Sequence, residues 1–164
     1  MGGPPPPPAP ADPRQAPTRD LIAHILERYH AAHRRDLAEA VRLATEVEHE
    51  QTCPRGLVDL LMLISDDLED HQQKEEVVLF PRMLAGSLDV LAGPITRMHL
   101  DHADLAAQFE TLRLLTEGFT VPAGASESWR ALYALCARIE ADLTAHVELE
   151  EGVLFRRFVA APPI

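Results

Sequence analysis

The chain is 164 residues long, 46% hydrophobic and 25% charged, with 14 prolines, 8 histidines, 2 cysteines and a formal net charge of -11, which gives room for one domain with a real core and too little for two. This acidic balance lacks the clustered Lys and Arg that a phosphate backbone or an anionic lipid surface requires, so nucleic acid and membranes are excluded as expected partners. No run of about 18 apolar residues is present, prolines stand where a signal peptide would have its apolar stretch, and Cys53 and Cys136 form no CxxC unit, so a cytoplasmic protein with two structural thiols is expected.

Eight of the prolines fall within the first 17 residues, so residues 1–17 read as an extended or disordered arm with little to bury. Residues 18–164 then form the folded domain. From Thr18 to Phe158 the apolar positions step by threes and fours, without strand-like alternation, and the whole segment is expected to be helical. Gly and Pro punctuate it at Cys53-Pro54-Arg55-Gly56, from Pro81 through Gly86 to Gly93-Pro94, and from Gly118 to Ser126. The predicted helices run from Thr18 to Gln51, Leu57 to Leu84, Pro94 to Glu117 and Glu127 to Phe158, with Pro94 suited to a first helical position and Ser126 to an N-cap. Short connections favour an all-α, antiparallel up-down four-helix bundle.

The second and fourth helices repeat each other at an offset of 75 residues. Leu68-Glu-Asp-His71-Gln-Gln-Lys-Glu75-Glu-Val-Val-Leu-Phe80 matches Leu143-Thr-Ala-His146-Val-Glu-Leu-Glu150-Glu-Gly-Val-Leu-Phe155 at Leu, His, both Glu, Val, Leu and Phe. With His30 on the first helix and His102 on the third, the chain reads as two hairpins, each carrying a His and a His-x-x-x-Glu. These residues share seams with apolar neighbours. The second helix offers Leu57, Leu60, Ile64, Leu68, His71, Glu75 and Val78, and the fourth offers Trp129, Leu132, Cys136, Ile139, Leu143, His146, Glu150 and Val153. Ile95, His102 and Phe109 lie one heptad apart on the third, and His30 follows Leu26 and precedes Leu37 on the first.

Two carboxylates buried without partners would cost several kcal/mol each, and no Lys or Arg lies on these seams to neutralise them. A cation must therefore come from outside. His at i and Glu at i+4 project from one helical face toward a common point. A nitrogen and carboxylate set without thiolate favours iron or manganese over structural zinc. Two carboxylates among four His suit a pair of ions bridged by both Glu, and a di-iron centre is the expected site. Outside this set, His24 and His33 are expected behind the ligands or in solvent, His99 as a neighbour that orients His102, and Glu76 and Glu151 as exposed.

The sequence resembles the hemerythrin-like superfamily, and within it the bacterial iron-sulfur cluster repair di-iron proteins. The resemblance is carried by Asp20-Leu-Ile-Ala-His-Ile-Leu-Glu-Arg-Tyr-His30, His71 to Glu75 with Leu79-Phe80-Pro81, Gly93-Pro-Ile-Thr-Arg-Met98 with His102, Trp129-Arg-Ala-Leu-Tyr133, and His146-x-x-x-Glu150-x-x-Val153-Leu-Phe155. It implies a bundle holding two non-haem iron ions, oxo- or hydroxo-bridged, with His30, His71, His102 and His146 as terminal ligands and Glu75 and Glu150 as bridges. It also implies a role in nitrosative and oxidative stress: repair of damaged iron-sulfur clusters through labile iron or nitric oxide handling. Damaged iron-sulfur proteins would be partners, and oxygen or nitric oxide a ligand. The alternative is a reversible binder or sensor of oxygen or nitric oxide.

Two departures stand out. Longer members of the family carry a small N-terminal domain with a cysteine pair, where this chain has the Pro-rich arm. The family also has a His ligand three heptads after the equivalent of His30, where this chain has Gln51, with Glu48 and His49 nearby. Glu48 shares the phase of the seam and His49 is the better ligand, so both are candidate replacements, ahead of Gln51.

Overall fold

A computed structural model describes residues 12, 14–87 and 91–159 of the chain. The expected Pro-rich arm lies outside these residues apart from positions 12 and 14–17, where Ala16 is buried and the Arg14 carbonyl accepts from Arg157 at 3.3 Å.

Among the described residues the fold is four long helices and no strand. Helix α1 joins Thr18–His24, Ile25–His30 and Ala31–Val47; α2 joins Leu57–Lys74, Glu75–Leu79 and Phe80–Ala85. Helix α3 is Ala92–Leu115, and α4 joins Glu127–Leu149, Glu150–Leu154 and Phe155–Arg157. Cross-helix pairs show that neighbours run antiparallel: His30 with Glu76 and Arg34 with Glu69 for α1 and α2, Lys74 with Asp101 and Asp67 with Gln108 for α2 and α3, His102 with Glu151 and Arg113 with Glu140 for α3 and α4, and Arg28 with Asp142 and Glu46 with Ser128 for α1 and α4. This is the expected up-down bundle.

Local chemistry sets the helix ends. Ser126 caps α4 by accepting the Trp129 N–H at 3.2 Å. Gly86 closes α2 at φ 76°, a left-handed conformation open to glycine, while Ser87 N–H reaches back to the Arg82 carbonyl at 3.3 Å. Helix α3 starts at Ala92, two residues before Pro94, whose missing N–H is harmless within a first turn. Helix α1 stops at Val47 rather than at Gln51, and the chain turns through Thr52 at φ 72°.

Three of the helices contain a wide turn bonded i to i−5, a feature that apolar periodicity does not reveal. The segments are Ile25–His30, Glu75–Leu79 and Glu150–Leu154, with Phe80 and Phe155 donating to the carbonyls of Glu75 and Glu150. Such π segments cluster at functional sites. They also correct the seams. The expected inward residues Val78 and Val153 are exposed and half-buried, whereas Leu79 and Leu154 are fully buried, because the extra residue delays the helix's return to the core.

The core has two apolar parts. One is built on Leu37, Ala44, Leu57, Ile64, Leu105, Leu112, Leu132 and Ile139, and the other on Leu21, Ile25, Phe80, Met83, Ile95, Met98 and Phe155. On every helix the candidate His and Glu fall between these two sets, so the polar residues form a layer sealed on both sides. Cys136 lies within the first part, and burial pushes its thiol up to about 12; Cys53 is a free half-buried thiol.

Candidate metal centre

Glu75 and Glu150 are fully buried and come from the repeated positions of α2 and α4. Each turns its two oxygens toward imidazoles on different helices. Glu75 Oε2 lies 3.1 Å from His30 Nε2, and its Oε1 lies 3.3 Å from His71 Nε2. Glu150 Oε2 lies 3.1 Å from His102 Nε2, and its Oε1 lies 2.7 Å from His146 Nε2. Two four-residue groups result: His30, Glu75, His146 and Glu150, and His71, Glu75, His102 and Glu150, with the donor atoms of each within 4.8 Å of one another. Both carboxylates belong to both groups. His71 Nε2 and His102 Nε2 stand 3.2 Å apart across the second.

The inward atoms fit a cation better than they fit one another. His30 Nε2, both oxygens of Glu75 and Oε2 of Glu150 are buried without a hydrogen-bond partner, a condition that costs about 1–3 kcal/mol per neutral group and more for a charged one. Burial alone would raise the Glu150 carboxyl, but His146 and His102 hold it well below the usual carboxylate range. Burial likewise pushes His71 down, yet the Glu75 carboxylate lifts it to about 9. Carboxylates and imidazoles of the centre thus each favour the charged form of the other. A donor set of imidazole nitrogen and carboxylate oxygen without thiolate suits iron, manganese or another first-row divalent ion.

Behind the imidazoles stands a ring of outer partners. His30 Nδ1 faces Glu76 Oε1 at 2.8 Å, and Arg34 holds the same oxygen at 2.8 Å. His102 Nδ1 faces Glu151 Oε1 at 2.8 Å, with His99 Nδ1 3.0 Å from that oxygen. His71 Nδ1 lies 3.5 Å from Asp101 Oδ2, and His146 Nδ1 lies 3.2 Å from His33 Nε2. Tyr29 stacks on His146 with ring centroids 5.2 Å apart. These partners fix which ring nitrogen carries the proton and so aim the other nitrogen inward. Burial and the neighbouring His146 and His30 push His33 down to about 3, which keeps its ring neutral.

The six residues expected at the centre, His30, His71, Glu75, His102, His146 and Glu150, are therefore brought together in one layer. Sequence reasoning missed the place of Glu76 and Glu151, expected in solvent but half-buried and directed at ligand imidazoles. Their signal was present, since the repeat pairs Glu76 with Glu151 as it pairs Glu75 with Glu150.

Glu48 and His49 do not join the layer, which corrects the expectation that one of them completes it. Their side chains are 43% and 85% exposed and pair with each other at 3.5 Å. The reason is axial. At 1.5 Å per residue, the end of α1 lies about 25 Å along the helix from His30, whatever its phase. Gln51 is exposed at the same end, where Glu50 contacts Ser126 at the start of α4.

A family model described as the hemerythrin HHE cation binding domain matches residues 21–158. The iron-sulfur cluster repair protein YtfE of Musicola paradisiaca is 42% identical over 155 residues, which cover 92% of this chain and 70% of the relative. Those of Edwardsiella ictaluri and Yersinia pseudotuberculosis serotype IB are 42% and 40% identical over 148 residues, 88% of this chain and 67% of each relative.

Proposed function

The chain belongs to the hemerythrin HHE cation-binding family, and from that premise we propose that it is a non-haem di-iron protein of the nitrosative and oxidative stress response that helps restore damaged iron-sulfur clusters. The observation that carries this reading is the sharing of Glu75 and Glu150 between two four-residue groups, each carboxylate presenting one oxygen to either group. Such an arrangement suits two ions better than one, since each carboxylate can bridge. His30 and His146 would hold one iron, and His71 and His102 the other. When bound, the pair supplies redox chemistry and an open coordination position for a small ligand such as nitric oxide or oxygen.

The chain's own residues aim and exclude. Glu76, Glu151 and His33 stand at hydrogen-bond distance from the outward nitrogens of His30, His102 and His146 and favour the proton there, while Asp101 places its charge 3.5 Å from the outward nitrogen of His71, so that the inward nitrogens would be free to coordinate. The apolar sets at both ends of the layer keep bulk water away. Among the described residues no helix is long and apolar enough to cross a membrane. Fold alone does not choose between repair and reversible gas binding; the relatives named as repair proteins favour repair, with damaged iron-sulfur proteins as the partners.

Metal analysis of freshly purified protein is expected to give about two irons per chain, released to a chelator in a form that restores a damaged iron-sulfur enzyme. Cells lacking the protein should recover iron-sulfur enzyme activity more slowly after nitric oxide. Unchanged recovery, together with reversible oxygen binding by the purified protein, would replace this reading with the gas binder.

A further inference from the structure

The two halves of the repeat differ in how they close the outer side of the centre. In the α1–α2 half, Glu76 Oε1 receives His30 Nδ1 and the Arg34 guanidinium, each at 2.8 Å. Arg34 also grips Glu69, and this permanent cation leaves a metal ion no place there. In the α3–α4 half, the counterpart Glu151 Oε1 meets His102 Nδ1 at 2.8 Å and His99 Nδ1 at 3.0 Å. Among the described residues no guanidinium pairs with Glu151. Where one half carries an arginine, the other carries a metal-ligating side chain.

We propose that His99, Glu151 and the outward nitrogen of His102 form a third, weaker site for a first-row divalent cation, through which ions pass to and from the buried pair. The inference rests on the di-metal reading of the centre. Donor atoms of the three residues lie within 4.8 Å of one another, and their exposure grades inward: His99 exposed, Glu151 half-buried, His102 buried. His99 and Glu151 face an open cavity of about 490 Å³ whose wall adds a second carboxylate, Glu148, against a single cation, Arg156. An ion arriving from solvent therefore meets imidazole and carboxylate oxygen before it meets the core.

His102 connects outside and inside. Its Nδ1 faces Glu151 of the outer group, and its Nε2 lies 3.1 Å from Glu150 of the buried one. A neutral imidazole has one acceptor nitrogen, so His102 serves the outer ion or the inner ion and is released by one as it takes the other. This sharing makes the outer site weak and suits it to hand-over. Two carboxylates adjacent in sequence, Glu151 outside and Glu150 inside, line the same step.

Cobalt(II) titration of the metal-free full chain, followed by equilibrium dialysis and absorption spectroscopy, tests the proposal. Wild type should take up two tight ions and a third, held by His99 and Glu151 alone while His102 serves the pair, bound at least about tenfold more weakly. His99→Ala and His99→Arg should keep the two and lose the third, the latter because it rebuilds the Arg34–Glu76 closure on the other half. His99→Arg should also slow loading of the pair and its release to a chelator by about tenfold. Saturation of wild type at two ions, a third ion retained in both variants, or wild-type exchange rates in His99→Arg would each overturn the proposal. A tight pair without a third ion would refute the outer site alone. Absence of the tight pair, with Glu75→Ala binding cobalt as wild type does, would refute the di-metal reading and the hand-over with it.

Discussion

His33 and His146 meet nitrogen to nitrogen in the buried layer, Nε2 of one 3.2 Å from Nδ1 of the other, with ring centroids 5.3 Å apart. The other three inward imidazoles are backed by carboxylates, Glu76, Asp101 and Glu151; His146 alone is backed by a neutral base. Its Nε2 lies 2.7 Å from the Glu150 carboxylate, and once a metal ion takes that nitrogen the proton of His146 sits on Nδ1, where His33 would accept it.

His33→Leu should therefore leave a buried N–H without an acceptor and loosen the aim of His146. Outer partners of this kind are worth about 10–100-fold in metal affinity. Competition against a chromophoric chelator should show a weaker site in His33→Leu, and His33→Gln, which restores an acceptor, should recover part of the loss. Equal affinities in wild type and His33→Leu would assign His33 to packing alone.

Shared carboxylates and unshared imidazoles should behave differently on truncation. Glu75 and Glu150 serve both four-residue groups, while His30 serves one and His71 the other. Glu75→Ala and Glu150→Ala are expected to lose both ions, and His30→Ala or His71→Ala to keep about one per chain. Metal content by elemental analysis decides this, and one ion retained in the glutamate variants would argue against bridging.

Removal of metal should also loosen the bundle. The buried atoms of Glu75, Glu150 and His30 then have no partner, and a half-satisfied polar cluster is worse than none. Free metal at about 100 times its Kd adds about 2.7 kcal/mol of stability by mass action. Chelation should lower the melting temperature and speed amide exchange first in Glu75–Leu79 and Glu150–Leu154, where the wide turns hold the two glutamates.

These wide turns mark the limit of what the sequence disclosed. The seam through Leu68, His71 and Glu75 was legible because three- and four-residue steps place those positions on one buried stripe. The repeat in α4 made coincidence untenable. Past Glu75 and Glu150 the pattern misled, since i to i−5 bonding adds a residue to the turn and brings Leu79 and Leu154 inward instead of Val78 and Val153. The same turns place Glu75 and Glu76 side by side on the inner flank, one facing the centre and the other the back of His30. His33 lay outside any repeat and gave no signal beyond its own buried phase next to Ala32 and Leu37.

Electrostatics around the layer should appear in the pH dependence of stability. Arg28 pairs with Asp142 through two hydrogen bonds at 2.8 and 3.2 Å, tying the first π turn of α1 to α4. The Arg28 hydrogen bonds hold the Asp142 carboxyl below its usual range against the opposing effect of partial burial. A depressed carboxylate contributes stability that is full above the unfolded value of about 3.9 and is lost as pH falls through the folded one. Arg28 is about half exposed, so screening limits the contribution to about 0.5 kcal/mol. Denaturation of Asp142→Asn should show that deficit unchanged from about pH 5 to 8 and closing below about pH 4. A deficit that persists in acid would assign the effect to packing.

The end of α1 supplies the last test, because there angular phase and axial distance disagree. Glu48 falls near the phase of His30, and on a helical wheel the two share a face. A wheel discards rise along the axis. The eighteen positions from His30 to Glu48 climb about 27 Å at 1.5 Å each, roughly five turns, which no side chain spans. Between them lie Leu37, Ala40, Leu43, Ala44 and Val47, all packed into the apolar set that seals the layer on that side. His49 is farther out and largely in solvent, and overwinding the last turn would swing it toward the bundle axis without bringing it closer to His30. Glu48→Ala, His49→Ala and Gln51→Ala should each bind metal as wild type does, while His30→Ala does not. A large loss of metal in any of the three would require α1 to bend back on itself, and would show that this helix supplies a ligand besides His30.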